Sequence, residues 1–222
     1  MLDDMLAGTN KKKDLPPRTR LSSEERKRII VSAAIQLFSE HGFRGTTTRE
    51  LAAAAGVTEP VLYQHFETKR DLYSALIESK SMEGQERVDA LLGPHLATTD
   101  DRVFFTRLAE LILECYTDDP AYIRLLLFSA LEKHELADLF YQREMVGFYK
   151  IIADYIRRRI KERAFRKMDA RLAARAFVGM VADHGLCHLL FDDSIVKLSQ
   201  KDLINGMVKI FLQGVLRKGK GT

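Results

Sequence analysis

No stretch of this 222-residue chain reaches the roughly 18 to 20 uncharged apolar residues of a membrane span, and its first residues lack the apolar core of a signal peptide. A cytoplasmic location with no membrane partner is the expectation. Cysteine is scarce: Cys115 and Cys187 each fall inside an apolar helical pattern and outside any metal or redox spacing, which excludes a disulfide scaffold and suits a reducing compartment. They read as buried thiols, with a redox sensor as the alternative. A phosphate loop, a metalloprotease motif and a recognisable nucleophile setting are all missing, so neither an enzyme nor a cofactor is expected. Charge of one sign is not in large excess. The formal net charge is +4, with 12 Lys and Arg against 9 Asp and Glu in residues 1–70, leaving 23 against 22 elsewhere. That balance alone does not suggest nucleic acid, although what basic excess exists lies mainly in the first third.

What is present is helical punctuation. Residues 46–72 read as two short capped helices separated by a glycine turn. Thr47 and Glu50 form a capping box, Leu51, Ala52 and Ala55 supply a narrow apolar stripe, and Gly56 sits where a left-handed residue ends the helix. Val57 plugs the corner, Thr58 is placed to cap the next helix, and Pro60 falls in its tolerant first turn. With Leu62 and Phe66 inward, Glu59, Pro60, Val61, Tyr63, Gln64 and His65 are left on the other face, an array of the size that enters a DNA major groove. Upstream, a second capping box at Ser22 and Glu25 opens a helix whose Ile30, Ala33, Ala34, Leu37 and Phe38 recur at helical spacing until His41-Gly42. Downstream, Thr68 caps a helix carrying Leu72, Tyr73, Leu76 and Ile77. Lys69 in its first turn opposes the helix dipole, which a phosphate partner explains and simple solvation also allows.

As a set, Arg28-Ile29 through Phe43, the Thr-Thr pair, Leu51-Ala52, Ala55-Gly56-Val57, Leu62-Tyr63, His65-Phe66, Lys69 and Leu72 resemble the tetracycline-repressor family of bacterial regulators. The resemblance covers about a quarter of the chain, and its specificity lies in several fixed spacings agreeing together. It implies an all-α fold with an N-terminal three-helix helix-turn-helix domain and a C-terminal helical domain that encloses a ligand cavity and dimerises through its last two helices. It also implies phosphate contacts from Thr47, Thr48, Tyr63, His65 and Lys69, and base-edge contacts from Arg49, Glu59, Pro60, Val61 and Gln64. The chemistry agrees independently: an arginine fork matches guanine, glutamine pairs with adenine, and Pro60 or Val61 packs on a thymine methyl. For Glu59, accepting from cytosine and complementing the helix dipole remain equal readings.

The resulting division is a basic arm at 1–21, a DNA-binding domain at 22–67 and a ligand-binding and dimerisation domain at 68–222. The arm, with Lys11, Lys12, Lys13, Arg18 and Arg20, either lies in a minor groove or is a solubilising tail. Beyond residue 80 there is no strand-like alternation and no repeat; helices are expected at 101–116, from 120, as one long segment at 135–163, at 169–190 and at 201–216. Candidate cavity residues are Phe104, Leu108, Cys115, Tyr116, Tyr122, Phe128, Phe148, Tyr149, Ile152, Phe177 and Met180, each of which is also ordinary core material. Gly179, Gly185, Gly206 and Gly214 allow close helix approach, and the broad apolar face of the final helix is either a subunit interface or monomer core. His184, Cys187 and His188 share a helix face with no sequence-local fourth ligand, so buried histidines are preferred to a metal site. The Arg157–Lys167 cluster reads as a solvated helix end, with a second nucleic-acid surface as its rival.

The expected function is a homodimeric, ligand-responsive DNA-binding regulator that recognises a double-stranded operator and is released by a small apolar or aromatic effector. A helical enzyme or carrier would show turnover without DNA. A sequence-blind architectural binder would show affinity that follows salt and not sequence.

Overall fold

A computed structural model describes residues 22–133, 135–191 and 197–216. Among these, ten α-helices follow one another: α1 Ser23–Gly45, α2 Thr48–Ala54, α3 Glu59–His65, α4 Lys69–Leu91, α5 Asp101–Asp118, α6 Pro120–Leu131, α7 Glu135–Phe140, α8 Val146–Lys161, α9 Ala170–Phe191 and α10 Gln200–Val215. The described residues contain no strand; one isolated antiparallel bridge joins Phe165 to Leu216. The arm expected at 1–21 lies outside the described residues.

Local chemistry sets the helix ends. Capping boxes close the starts of α1 (Ser22 with Glu25), α2 (Thr47 with Glu50) and α4 (Thr68 with Asp71), each satisfying backbone donors that the first turn leaves open. Asp100, Asp119 and Ser199 cap α5, α6 and α10 with one side-chain bond each. Thr58 does not do this for α3: it stands at the cap position without a side-chain bond, and Pro60 removes one donor from the turn it would have served. Gly42 breaks α1 with φ 72° and ψ 177°, a conformation open to glycine alone. A Cβ there would also lie 2.6 Å from the Glu132 carboxylate.

The expected single helix over 135–163 is a correction. It is split into α7 and α8 by a π-helical turn at Tyr141–Met145. The apolar stripe runs through both parts, so periodicity could not reveal one extra residue per turn.

Two hydrophobic cores result. The first gathers Ile30, Phe38, Leu51, Leu62 and Phe66 with Leu72, Tyr73 and Leu76 of α4, and receives Tyr122 and Leu125 from α6. Here the Tyr73 hydroxyl pairs with Ser129 of α6. The second gathers Phe104, Phe105 and Leu108 of α5, Ile152 and Ile156 of α8, Phe177 and Val181 of α9, and Ile204 and Val208 of α10. Phe105 is its centre, with the rings of Phe104, Tyr155, Phe177 and Phe211 all within 6 Å, centroid to centroid. The cluster from Arg157 onward is only partly a solvated end. Arg159 is buried and forks onto both oxygens of Asp101 at 2.7 and 3.0 Å, while Arg158 donates to the carbonyls of Leu96 and Thr98. These arginines tie the end of α8 to the start of α5, where a bidentate carboxylate and loop carbonyls give them geometry that water would not.

Candidate nucleic-acid interface and interior cavity

The helix-turn-helix follows from the turn chemistry. Gly56 has φ 66°, and the Val57 amide reaches back to the Ala52 carbonyl at 2.9 Å, a left-handed stop that turns α3 away from α2. Leu62 and Phe66 are buried beneath α3, so Thr58, Pro60, Tyr63 and Gln64 stand exposed beside Arg49 and Thr47 from the start of α2. Thr48, Glu59, Val61 and His65 are half-buried on the same side. A chain of bonds stitches the two helices: Tyr63 donates to the Thr48 hydroxyl at 3.4 Å, and Thr48 donates to Glu59 at 3.3 Å. Glu59 therefore has a local partner in the protein. Thr47 is likewise occupied, its hydroxyl donating to Glu50 at 2.7 Å and accepting from the Glu50 amide.

Lys69 points elsewhere than expected. Its ammonium donates to the carbonyls of Phe43 at 2.6 Å and Thr46 at 2.8 Å and lies 4.2 Å from the centre of the Phe43 ring. Burial pushes its pKa below the ordinary lysine value, with Glu132 opposing the shift. The unfavourable first-turn cation is thus explained within the chain: it closes the C-terminal end of α1, where carbonyls lack helical partners. Sequence spacing could not show this, because the bonds span more than twenty residues.

The second candidate site is a cavity of about 990 Å³ between α4, α5, α6, α7, α8 and α9. That is at the upper end of the roughly 300 to 1,000 Å³ typical of small-molecule pockets. Cys115, Tyr116, Tyr122, Phe148 and Tyr149 line it, as the sequence led us to expect. Phe104, Leu108, Phe128, Ile152, Phe177 and Met180 do not. Four of these, Phe104, Leu108, Ile152 and Phe177, are fully buried in the second core, Met180 packs against that core, and Phe128 reaches toward Gly42 of α1. The same periodic faces supply both core and cavity, so period alone does not separate them. Leu111, Ile112, Leu126, Phe140, Val178, Ala182 and Leu186 also stand on the apolar wall. Gly185 earns its place beside this wall, because a Cβ there would lie 2.6 Å from the Tyr116 ring; Gly179, Gly206 and Gly214 face open space instead of a packed neighbour.

The cavity has one inward carboxyl that sequence reasoning passed over. Glu144, on the π-helical turn, accepts from Ser81 of α4 at 2.8 Å and from Tyr122 of α6 at 3.0 Å. Burial raises its pKa above the ordinary carboxylate range, against the lowering effect of those two bonds. At the rim the charges are paired, Lys80 with Glu83 and Asp119, and Arg87 with Asp118. Cys115 is a wall thiol whose pKa is raised by burial, which makes it a poor thiolate. Among the described residues no three His, Cys, Asp or Glu side chains converge to hold a metal, and His184, Cys187 and His188 form no such group. No helix among them is long and apolar enough to cross a membrane.

Comparison with known proteins agrees with this architecture. Residues 30–76 match the model for bacterial regulatory proteins of the tetR family, and residues 105–214 match that for the AefR-like transcriptional repressor C-terminal domain. The HTH-type transcriptional activator FasR of Mycolicibacterium smegmatis is 34% identical over 111 residues, 48% of each chain. The chain thus spans about half the length of that curated relative. Among solved structures, a transcriptional regulator from Pseudomonas aeruginosa PAO1 superposes with a TM-score of 0.72 at 18% identity, over 88% of this chain and 92% of that one. AibR, solved with isovaleryl coenzyme A and operator DNA, gives 0.62 at 19% identity over 84% and 97%. Both likenesses concern the fold. With a family model at each end and helical structures that align along most of its length, the chain belongs to the TetR family of transcriptional regulators.

Proposed function

We propose that this protein is a cytoplasmic, homodimeric, sequence-specific DNA-binding regulator, most simply a repressor that leaves a palindromic operator when a small, largely apolar or aromatic effector enters the cavity. The observation that carries the reading is the position of α6. Its Tyr122 and Leu125 belong to the core beneath the helix-turn-helix, while Tyr122, Ile123, Leu126 and Leu127 wall the cavity. A molecule that displaces α6 necessarily disturbs the packing under α1 and α4. In a dimer, such a shift alters the separation of two recognition helices, which must stay near 34 Å to enter successive major grooves.

The reading unit is residues 22–67, and residues 68–222 carry effector and partner. Arg49, Pro60 and Gln64 face base edges, with Thr58, Glu59 and Val61 beside them. Thr47, Thr48, Tyr63 and His65 face the phosphates, and Lys69 supports the same surface from within. The partner surface is the outer face of α9 and α10. Phe191 and Ile210 are 73% and 65% exposed there, more than isolated apolar side chains of this size gain from water, and the open space at Gly179, Gly206 and Gly214 admits a close second helix. Regulators similar in sequence include the activator FasR, and the structural neighbour AibR was solved with isovaleryl coenzyme A and operator DNA.

Fluorescence anisotropy on DNA flanking the protein's own gene, against scrambled duplex over a salt series, tests the reading. A preference of about 10³-fold or more is expected, and Arg49→Ala should remove about 1 to 3 kcal/mol of that discrimination while leaving residual salt-dependent binding. Equal binding to both duplexes, together with no palindrome from random-sequence selection, would overturn it.

A further inference from the structure

Most of the cavity wall is apolar, and among its charged residues Glu144 is the carboxyl held by hydroxyls from two other helices. Both of its hydrogen bonds end on one oxygen: Ser81 and Tyr122 donate to Oε1. Oε2 makes no hydrogen bond among the described residues and lies on the side of Gly84, 4.0 Å from where a Cβ at that position would be. The absence of a side chain at Gly84, itself a wall residue, leaves that oxygen uncovered. That oxygen is open to the pocket, where a ligand that donates to it takes the place of water. The group sits on the π-helical turn, and such turns recur at functional sites.

We propose that Glu144 is the polar anchor of the effector site, and that it selects an aromatic molecule bearing a neutral hydroxyl, a phenol or aromatic alcohol, which donates to Oε2. This rests on the regulator reading only in calling the ligand an effector. A carboxylate ligand would place anion against anion. An ammonium ligand would meet Arg143 and Arg175, which line the same pocket. A hydroxyl extends the existing pattern, in which the carboxyl is held by hydroxyls. The anchor also has a route outward, since Ser81 is on α4 and Tyr122 on α6, so a ligand bond at Oε2 bears on both helices that pack beneath the DNA-facing head.

Calorimetric titration of the full chain with naphthol, methoxynaphthalene, naphthoate and naphthylmethylammonium tests this with matched apolar bodies. Wild type should bind naphthol about tenfold more tightly than methoxynaphthalene, as one hydrogen bond to a charged group implies. Glu144→Gln, which keeps an acceptor for Ser81 and Tyr122 but replaces Oε2 by a donor, should abolish the preference and leave methoxynaphthalene binding unchanged. Ser81→Ala retains the carboxyl and should retain the preference, which separates anchoring from packing. The proposal is overturned if naphthol binds wild type and Glu144→Gln equally, if naphthoate or naphthylmethylammonium is preferred by wild type, or if none of the four binds. Operator anisotropy on the same samples separates the two claims: intact operator selectivity with no hydroxyl preference sinks the anchor alone, and a hydroxyl preference without operator selectivity sinks the regulator reading alone.

Discussion

The DNA-facing head and the cavity are built by opposite means. In the head, the interactions that set the helix ends connect residues three to five apart: Thr47 with Glu50, Val57 with Ala52, Thr68 with Asp71. In the cavity, contacts connect distant helices: Ser81 and Tyr122 with Glu144, Gly185 with Tyr116. A surface that must present fixed side chains to a repetitive polymer benefits from short-range specification, because each turn is set by its own caps. For the effector response proposed above, walls borrowed from many helices mean that filling the chamber moves several of them. The two meet at α6, which serves both, and along α4, whose first half packs beneath the head and whose later residues line the cavity.

That comparison can be broken, and the largest effect is expected deep in the second core. Phe105→Ala removes the ring around which four other aromatics pack and should cost about 3 to 5 kcal/mol in chemical denaturation. If head and cavity were independent, heteronuclear NMR would show the α1–α3 signals surviving the loss; coupling through α6 predicts that they broaden with the rest. Next comes the junction itself. Gly42→Ala forces a side chain into a glycine-only conformation and against Glu132, with an expected loss of about 1 to 3 kcal/mol in the same assay. Unchanged stability would show that α1 and α6 can separate there freely.

Lys69→Ala sharpens the distinction between a structural and a DNA-contacting residue. Losing two carbonyl bonds and the contact with the Phe43 ring should lower stability by about 1 to 3 kcal/mol. A reduced salt slope of about one unit on operator DNA with an unaltered melting curve would instead return Lys69 to the phosphates. The smallest effect belongs to the caps. The Glu50 pKa is held below its ordinary value by the Thr47 backbone amide first and the Thr47 hydroxyl second, so its contribution is present above the unfolded-state carboxylate pKa and disappears as pH falls through the lower folded value. Thr47→Ala should flatten that part of the acid-side stability profile, and an unchanged profile would show that the cap is formed but idle.

The head was therefore legible in detail. Its capping boxes, the Gly56 stop, the inward Leu62 and Phe66 and the outward Tyr63 and Gln64 all lie where residue type and spacing put them, since backbone donors at a helix start must be satisfied locally. Thr58 is an exception because Pro60 had already removed part of the need for a cap. Lys69 is another because its partners come from α1. For the cavity, Cys115, Tyr116, Tyr122, Phe148 and Tyr149 could be named, whereas Phe104, Leu108, Ile152 and Phe177 could not be told from them, being equally apolar at equally regular positions. Glu144 was missed because it lies on an interruption that an apolar stripe does not register.

By itself, then, the sequence determined the all-helical character, the helix ends and the order of exposed chemistry along α2 and α3, because those depend on hydrogen bonds and periodicities within a few residues. Only the tertiary structure decided which aromatics close a core and which border empty space, which cation faces inward, and that the Glu144 carboxyl stands on the cavity wall. Those outcomes depend on how helices far apart in the chain divide one volume between them, and the residues of one helix carry no record of how its neighbours fill the rest.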